Sequence, residues 1–110
     1  MSQDKVREAL NFIKDFMKKR GITINKLILF GSYARKDFSP ESDVDIAIVS
    51  NDFAGKDIFQ RAEMLDNLQW ALVERFMLPF DIVPISFGEW ENSSSLIVDY
   101  AREGREILNI

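Results

Sequence analysis

The chain has 110 residues, of which 46% are hydrophobic and nine are phenylalanine, so we expect a single domain over residues 1–110 with a buried core. It has no cysteine and no histidine, which excludes disulfides, thiolate or imidazole metal sites, and catalytic triads with a histidine base. The formal net charge of −4 argues against general nucleic-acid binding, which needs a basic face.

The sequence also lacks the signals of a membrane or secreted protein. No apolar run approaches the roughly 20 residues that span a bilayer. The opening MSQDKVREAL is polar and helical in pattern, unlike a secretory signal. We therefore expect a cytoplasmic protein that does not associate with membranes, and a chain without cysteine fits that reducing compartment.

The first predicted elements are a helix and a buried strand. Apolar side chains between Val6 and Met17 recur at helical spacing. Ser2 is placed to cap this helix and Gly21 to end it, because these residue types favour helix boundaries. The apolar residues 27–30 then predict a strand.

The stretch GSYARKDFSPESDVD leads from this strand into a second one. We interpret residues 31–32 as a turn and residues 33–38 as a short helix. Residues 43–49 alternate between two faces, which predicts a strand. Asp43 and Asp45 are two residues apart and therefore lie on the same face of it.

The second half of the chain contains four predicted elements. They are a long amphipathic helix over residues 57–76, a strand over 80–85, a helix over 94–102 and a short strand over 106–110. Trp70 on the long helix is expected to pack in the core or at its edge. Phe87 and Trp90 are expected in a loop, either at a partner surface or as a half-buried lid.

These elements together predict an α+β fold that can also be described as a two-layer α/β unit. A small mixed β-sheet forms its centre, and helices pack mainly on one face of that sheet.

The paired aspartates indicate a metal site. Residues two apart on a strand lie about 6–7 Å apart along the backbone, so Asp43 and Asp45 aim their carboxylates at one spot. Like charges that close raise each other's pKa unless a cation compensates them. Carboxylate oxygens are the protein ligands of Mg²⁺, which completes its shell with water and substrate phosphates.

A phosphate cradle is predicted beside the carboxylates. Gly31 permits a tight turn with accessible backbone N–H groups, and Ser32 adds a hydroxyl at the start of a short helix. A phosphate cradle next to a carboxylate metal site is typical of phosphoryl or nucleotidyl transfer.

The motif carries a resemblance to a known family. Gly31-Ser32, ten intervening residues and Asp43-Val44-Asp45, within GSYAR…SDVDI, resemble the minimal nucleotidyltransferase branch of the DNA polymerase β-type superfamily. The family's third carboxylate, on a later strand, corresponds to Asp81 in PFDIVP. The resemblance implies a nucleotidyltransferase fold similar to the polymerase β palm. The chain departs from the motif at Lys36, where the family usually has glycine.

The resemblance also implies the site residues and cofactors. Asp43, Asp45 and Asp81 would be catalytic and would hold two Mg²⁺ ions, or Mn²⁺ in their place. The nucleotide, ATP or another nucleoside triphosphate, would be bound by five motif residues: Gly31, Ser32, Arg35, Lys36 and Ser42. Two of these have a second interpretation, since Arg35 can instead tie the loop to a carboxylate and Lys36 can instead strain the loop at a positive φ.

The acceptor is predicted from the family's minimal members. They pair with a small helical HEPN protein, which implies a toxin–antitoxin pair in which this chain is the antitoxin. It would silence the HEPN partner by transferring AMP to a tyrosine hydroxyl, by direct binding, or by both. Two alternatives are a nucleotide-sensing binding subunit that neutralises the partner without turnover, and a small-molecule nucleotidyltransferase. The sequence leaves open a homo-oligomer.

Overall fold

A computed structural model describes residues 3–37, 39, 42–93 and 95–106 of the chain. Its elements in chain order are α1 Gln3–Lys19, β1 Lys26–Phe30, α2 Gly31–Arg35, β2 Val44–Ser50, a 3₁₀ turn Asn51–Phe53, α3 Ile58–Met64, α4 Leu68–Phe76, β3 Phe80–Ser86, α5 Phe87–Asn92, α6 Leu96–Arg102 and β4 Arg105–Glu106. The sheet has the order β3-β2-β1-β4. Strand β1 pairs antiparallel with β2 and β4, whereas β2 and β3 are parallel.

The sheet separates two hydrophobic clusters. Alternate residues of β2 project to opposite faces, so Ile46 and Ile48 join the larger cluster with α1 and α4, while Ala47 and Val49 join the smaller one. Helices α5 and α6 cover the second face through buried residues such as Val98. The predicted mixed sheet, with most of the helical packing on one face, is confirmed, and two short helices close the other face.

Helix α1 follows its sequence pattern closely. Its buried side chains, from Val6 to Met17, form one stripe against the sheet. Lys18 and Lys19 lie in its last turn, where cations are favourable to the helix dipole. Gly21, with a φ of 75°, follows the last turn in the left-handed conformation that glycine adopts without strain.

The predicted long helix over residues 57–76 is wrong, because the chain forms two helices there. Helix α3 begins with a capping box between Asp57 and Gln60, and Asn67 breaks the run with a φ of 68°. The two apolar stripes do not share one face. Ile58 is 76% exposed, whereas Leu72 of α4 is fully buried.

Three predicted placements of aromatic residues are also corrected. Trp70 is 68% exposed, because Leu68 and Leu72 take the buried side of α4 and Trp70 faces away from them. Phe87 and Trp90 lie in helix α5 and pack against the smaller cluster rather than in a loop.

The signal for α5 was present in the sequence. The Ser86 side chain accepts from the backbone N–H of Glu89, and the Glu89 carboxylate accepts from the backbone N–H of Ser86, which is a complete capping box. A serine followed three residues later by a glutamate predicts a helix start even within a polar stretch.

The remaining differences lie at element boundaries. The interpretation of residues 31–32 as a turn is wrong, since α2 begins at Gly31 and ends at Arg35. The last helix begins at Leu96. The proposed cap Ser2 and residues 107–110 of the proposed final strand lie outside the described residues. Among the helices of the described ranges, none combines the length and apolarity needed to cross a bilayer.

Lys36 adopts a left-handed conformation, with a φ of 66° and a ψ of 25°, at the end of α2. Its Cβ is strained there, so we expect Lys36→Gly to raise the free energy of unfolding by about 0.5–1 kcal/mol, after the entropic cost of glycine. Urea unfolding measures the change. Lys36→Ala is the control, because it removes the charge and keeps the strain; equal stabilisation by both variants would contradict the explanation.

Candidate active site

Two of the three predicted carboxylates are direct neighbours across the sheet. Asp45 in β2 pairs in register with Asp81 in β3 and, on its other side, with Phe30 at the end of β1. Asp45 is two residues before Ala47 in β2, and Asp81 is two residues before Val83 in β3. Because Ala47 and Val83 pack in the smaller cluster, both aspartates project from the face covered by α5 and α6. Asp43 immediately precedes β2. Parallel pairing in this register thus brings together residues that are far apart in the chain.

Neighbouring charges act on the Asp45 carboxylate. The pKa of Asp45 is raised to about 6, first by burial, then by the negative charges of Asp81 and Asp43, while Arg35 lowers it. Asp45 is half-buried, whereas Asp43 and Asp81 are exposed. The structure therefore brings the three predicted carboxylates and one cation into a single electrostatic environment.

Gly31 lies against this environment. It has a φ of 71°, and a Cβ built on it would be 2.1 Å from Oδ2 of Asp45. Only a residue without a side chain allows the backbone to come this close to the carboxylate. Gly31 therefore sets the position of α2 relative to β2 and explains why the motif begins with glycine.

The residues suit a hard divalent cation in chemical type, although they do not already form its coordination shell. Within the described ranges, no group of three or more acidic side chains is arranged to hold a metal ion. Carboxylates are nevertheless the oxygen ligands that Mg²⁺ prefers. The pKa of Asp45 is raised first by burial and then by the negative charges of Asp81 and Asp43, and a bound cation would compensate those charges. Asp43 and Asp81 are exposed, so their side chains can rotate towards an ion.

The predicted nucleotide-binding residues have different surroundings. The carbonyl of half-buried Ser32 accepts from the backbone N–H groups of Lys36 and Asp37, so Ser32 anchors the short helix. The hydroxyl of Ser42 accepts from the backbone N–H of Ser39 at 2.9 Å and therefore closes a local turn. Lys36 is exposed beyond the end of α2.

Arg35 connects the motif to a residue that the sequence analysis did not identify. Its Nε donates to Oδ2 of Asp37 at 3.1 Å, and its Nη1 donates to the hydroxyl of Tyr100 at 3.2 Å. The tie to a carboxylate, one of the two interpretations of Arg35, is therefore observed. No local pattern could have revealed Tyr100, since it lies 65 residues further along the chain.

The raised pKa of Asp45 makes a prediction about stability and pH. Folding favours the protonated carboxyl, so its contribution is fully present below the usual pKa of 3.8 and is lost as pH rises through about 6. We expect Asp45→Asn to be more stable than the wild type at pH 7, and the difference to shrink towards pH 4. Urea unfolding with EDTA between these values measures it. A difference that does not change with pH would contradict the assignment.

Comparison with known proteins places these features in a family. A model of the nucleotidyltransferase domain matches residues 10–104. Two proteins of Methanocaldococcus jannaschii are similar. Putative protein adenylyltransferase MJ0604 is 50% identical over 52 residues, covering 46% of this chain and 49% of its own length. Putative protein adenylyltransferase MJ0141 is 44% identical over 46 residues, covering 38% and 46%. The chain thus matches about half the length of these curated relatives or less.

Two solved structures share the fold. One, described as a toxin-antitoxin with AMP-PNP, superposes with a TM-score of 0.58 at 21% identity and covers 96% of this chain and 72% of its own. The other, described as a putative nucleotidyltransferase from Sulfolobus solfataricus, has a TM-score of 0.51 at 22% identity and covers 83% and 81%. At these identities the superpositions support the fold alone.

Proposed function

The chain belongs to the nucleotidyltransferase domain family, and on that premise we propose that it transfers AMP from ATP to a hydroxyl of a protein partner. The observation that carries the proposal is the in-register pair of Asp45 and Asp81, with the backbone of Gly31 against Asp45. This arrangement places the first residue of α2 beside the beginnings of two strands, β2 and β3.

The proposed reaction has a simple balance of bonds. The acceptor oxygen forms a bond to the α-phosphorus, the bond from that phosphorus to the oxygen bridging to the β-phosphorus breaks, and pyrophosphate leaves. The proton of the hydroxyl passes to Asp81 or to water, since Asp81 is exposed and reachable by an acceptor. Positioning supplies much of the rate in such transfers, because little covalent chemistry falls to the protein.

We assign the roles of the site residues as part of the same proposal. Asp43, Asp45 and Asp81 would hold Mg²⁺ or Mn²⁺, two ions in all. When bound, these ions would neutralise charge on the triphosphate and make the acceptor hydroxyl more acidic. Gly31 and Ser32 would bind phosphate, and three further motif residues would contribute at the loop: Arg35, Lys36 and Ser42.

The partner is the second part of the proposal. We propose that residues 1–110 act as one domain in the cytoplasm and neutralise a small helical HEPN-type toxin by modifying it. Two observations support this assignment: the similar proteins of Methanocaldococcus jannaschii are named putative protein adenylyltransferases, and a solved structure with the same fold is described as a toxin-antitoxin. A homo-oligomer is compatible with this proposal.

A second candidate function is a nucleotide-sensing subunit that binds its partner without turnover. One observation favours it: in the part of the chain that the structure describes, no three acidic groups are ready to hold a metal ion. A site that closes only around a bound nucleotide would explain the same observation for an active enzyme. The two functions therefore have to be separated by measuring the product.

The deciding experiment mixes the purified chain, a small helical HEPN-type protein, ATP and Mg²⁺, and weighs the helical protein by mass spectrometry. We expect its mass to increase by AMP units, and EDTA to prevent the increase. Tight association without a mass change would favour the sensing subunit. A melting temperature of the chain that is the same with ATP and Mg²⁺ as with EDTA would contradict nucleotide binding, and hence both functions.

A further inference from the structure

Tyr100 lies on the same face of the sheet as the carboxylates. It belongs to α6, and its ring meets the ring of Phe30 edge-on, with centroids 5.4 Å apart and an interplanar angle of 83°. Phe30 is the cross-strand partner of Asp45. The tyrosine ring is therefore separated from the carboxylate cluster by a single neighbouring side chain.

The Tyr100 hydroxyl holds one side of the Arg35 guanidinium. It accepts from Nη1 at 3.2 Å, while Asp37 accepts from Nε at 3.1 Å on the other side. This cation lies close to the cluster along the chain, since Arg35 is the last residue of α2 and Gly31, the first residue of the same helix, lies against Asp45. The motif helix α2 and the distant helix α6 thus position one cation together.

The guanidinium has capacity left for a ligand. An arginine has five N–H donors, and within the described ranges only Asp37 and Tyr100 accept from this one. The side chain is 54% exposed. The planar guanidinium matches the spacing of phosphate oxygens. A triphosphate that approaches three carboxylates also needs a cation to compensate the repulsion between negative charges.

We propose that Tyr100 is a positioning residue that holds Arg35 at the carboxylate cluster, so that the guanidinium binds a phosphate of the nucleoside triphosphate. The inference rests on the proposed function and extends it to a residue outside the motif. An exposed arginine loses much side-chain freedom when it binds an anion. Two contacts already restrict Arg35, so less of that cost falls on nucleotide binding.

The alternative is that Tyr100 only packs α6 onto the sheet. Tyr100→Phe separates the two roles, because it keeps the ring on Phe30 and removes the hydroxyl. A packing role predicts normal nucleotide binding for this variant. The positioning role predicts weaker binding with little change in melting temperature. Tyr100→Ala serves as the comparison that loses both the hydrogen bond and the ring contact.

The test is isothermal titration of the full chain with ATP and Mg²⁺. We expect Tyr100→Phe to weaken the Kd for ATP by about threefold to tenfold, which corresponds to the loss of one typical intramolecular hydrogen bond. In the transfer assay, KM for ATP should rise while kcat stays within about twofold, because the acceptor and carboxylates are unchanged.

A double-mutant cycle shows whether Tyr100 acts through Arg35. With Arg35→Met already in place, Tyr100→Phe should have no further effect on the Kd for ATP. An equal loss in both backgrounds overturns the proposal, as does wild-type affinity for ATP in Tyr100→Phe. If the wild-type chain binds no ATP with Mg²⁺, the proposed function fails and this inference fails with it. Normal wild-type binding with an unaffected variant refutes only the role of Tyr100.

Discussion

Asp45→Asn is expected to lower the rate of AMP transfer at least about a hundredfold while the fold is kept. Asparagine preserves the shape of the side chain and removes its negative charge, so a divalent cation loses an anionic ligand. Metal polarisation contributes several kcal/mol to such barriers, and each 1.36 kcal/mol corresponds to a tenfold change in rate. The stability at pH 7 should not fall, because burial and the charges of Asp81 and Asp43 already disfavour the ionised carboxylate.

The measurement is a single-turnover time course of the mass increase of the partner at saturating ATP and Mg²⁺. Asp15→Asn is the matched control, since Asp15 is exposed and lies on α1, which packs against the opposite face of the sheet from the carboxylates. Circular dichroism and urea unfolding establish that each variant is folded. A transfer rate for Asp45→Asn within tenfold of wild type would show that this carboxylate is not essential.

Gly31→Ala should reduce transfer about as strongly by a purely steric route. The added Cβ would be 2.1 Å from Oδ2 and 3.1 Å from Cγ of Asp45, so one of the two residues must move. Rotation of a short side chain costs less than movement of a buried backbone, so the carboxylate moves first. A displacement of about 1 Å in an active site can cost a hundredfold in rate. We therefore expect a loss of about a hundredfold in transfer.

The same substitution should affect stability far less than activity. We expect Gly31→Ala to lower the free energy of unfolding by about 1–2 kcal/mol, chiefly from the left-handed backbone. Gly21→Ala is the matched control. Gly21 has a φ of 75°, against 71° for Gly31, but a Cβ there meets nothing within 4 Å. The control should lose stability for the same backbone reason and retain full transfer. Full activity in Gly31→Ala would show that the close approach to Asp45 is not needed.

Local patterns identified the elements whose apolar residues recur with a regular period. The stripe from Val6 to Met17 and the alternation of β2 are simple periods of about 3.6 and 2 residues, and both produce the predicted element. The motif likewise predicted that Gly31 and the paired aspartates lie side by side, and the antiparallel pairing of β1 with β2 brings Gly31 against Asp45.

Local patterns failed where two segments of similar composition pack differently. Residues 57–76 contain apolar residues at helical spacing throughout, yet only α4 buries its stripe, and α3 leaves Ile58 exposed. The break at Asn67 is tolerated because asparagine adopts left-handed conformations at low cost. Helix α5 was missed because its start depends on a capping box rather than on apolar periodicity.

The sequence by itself determined the family resemblance, the mixed sheet and the identity of the candidate carboxylates, because these depend on residue type and on spacing along one or two neighbouring strands. Only the tertiary structure decided that Asp81 pairs in register with Asp45 and that Tyr100 holds Arg35. Both contacts join segments that are far apart in the chain, and such contacts leave no periodic pattern in the sequence. The register between β2 and β3 follows from packing on both faces of the sheet, and the position of Tyr100 follows from where α6 covers the smaller cluster.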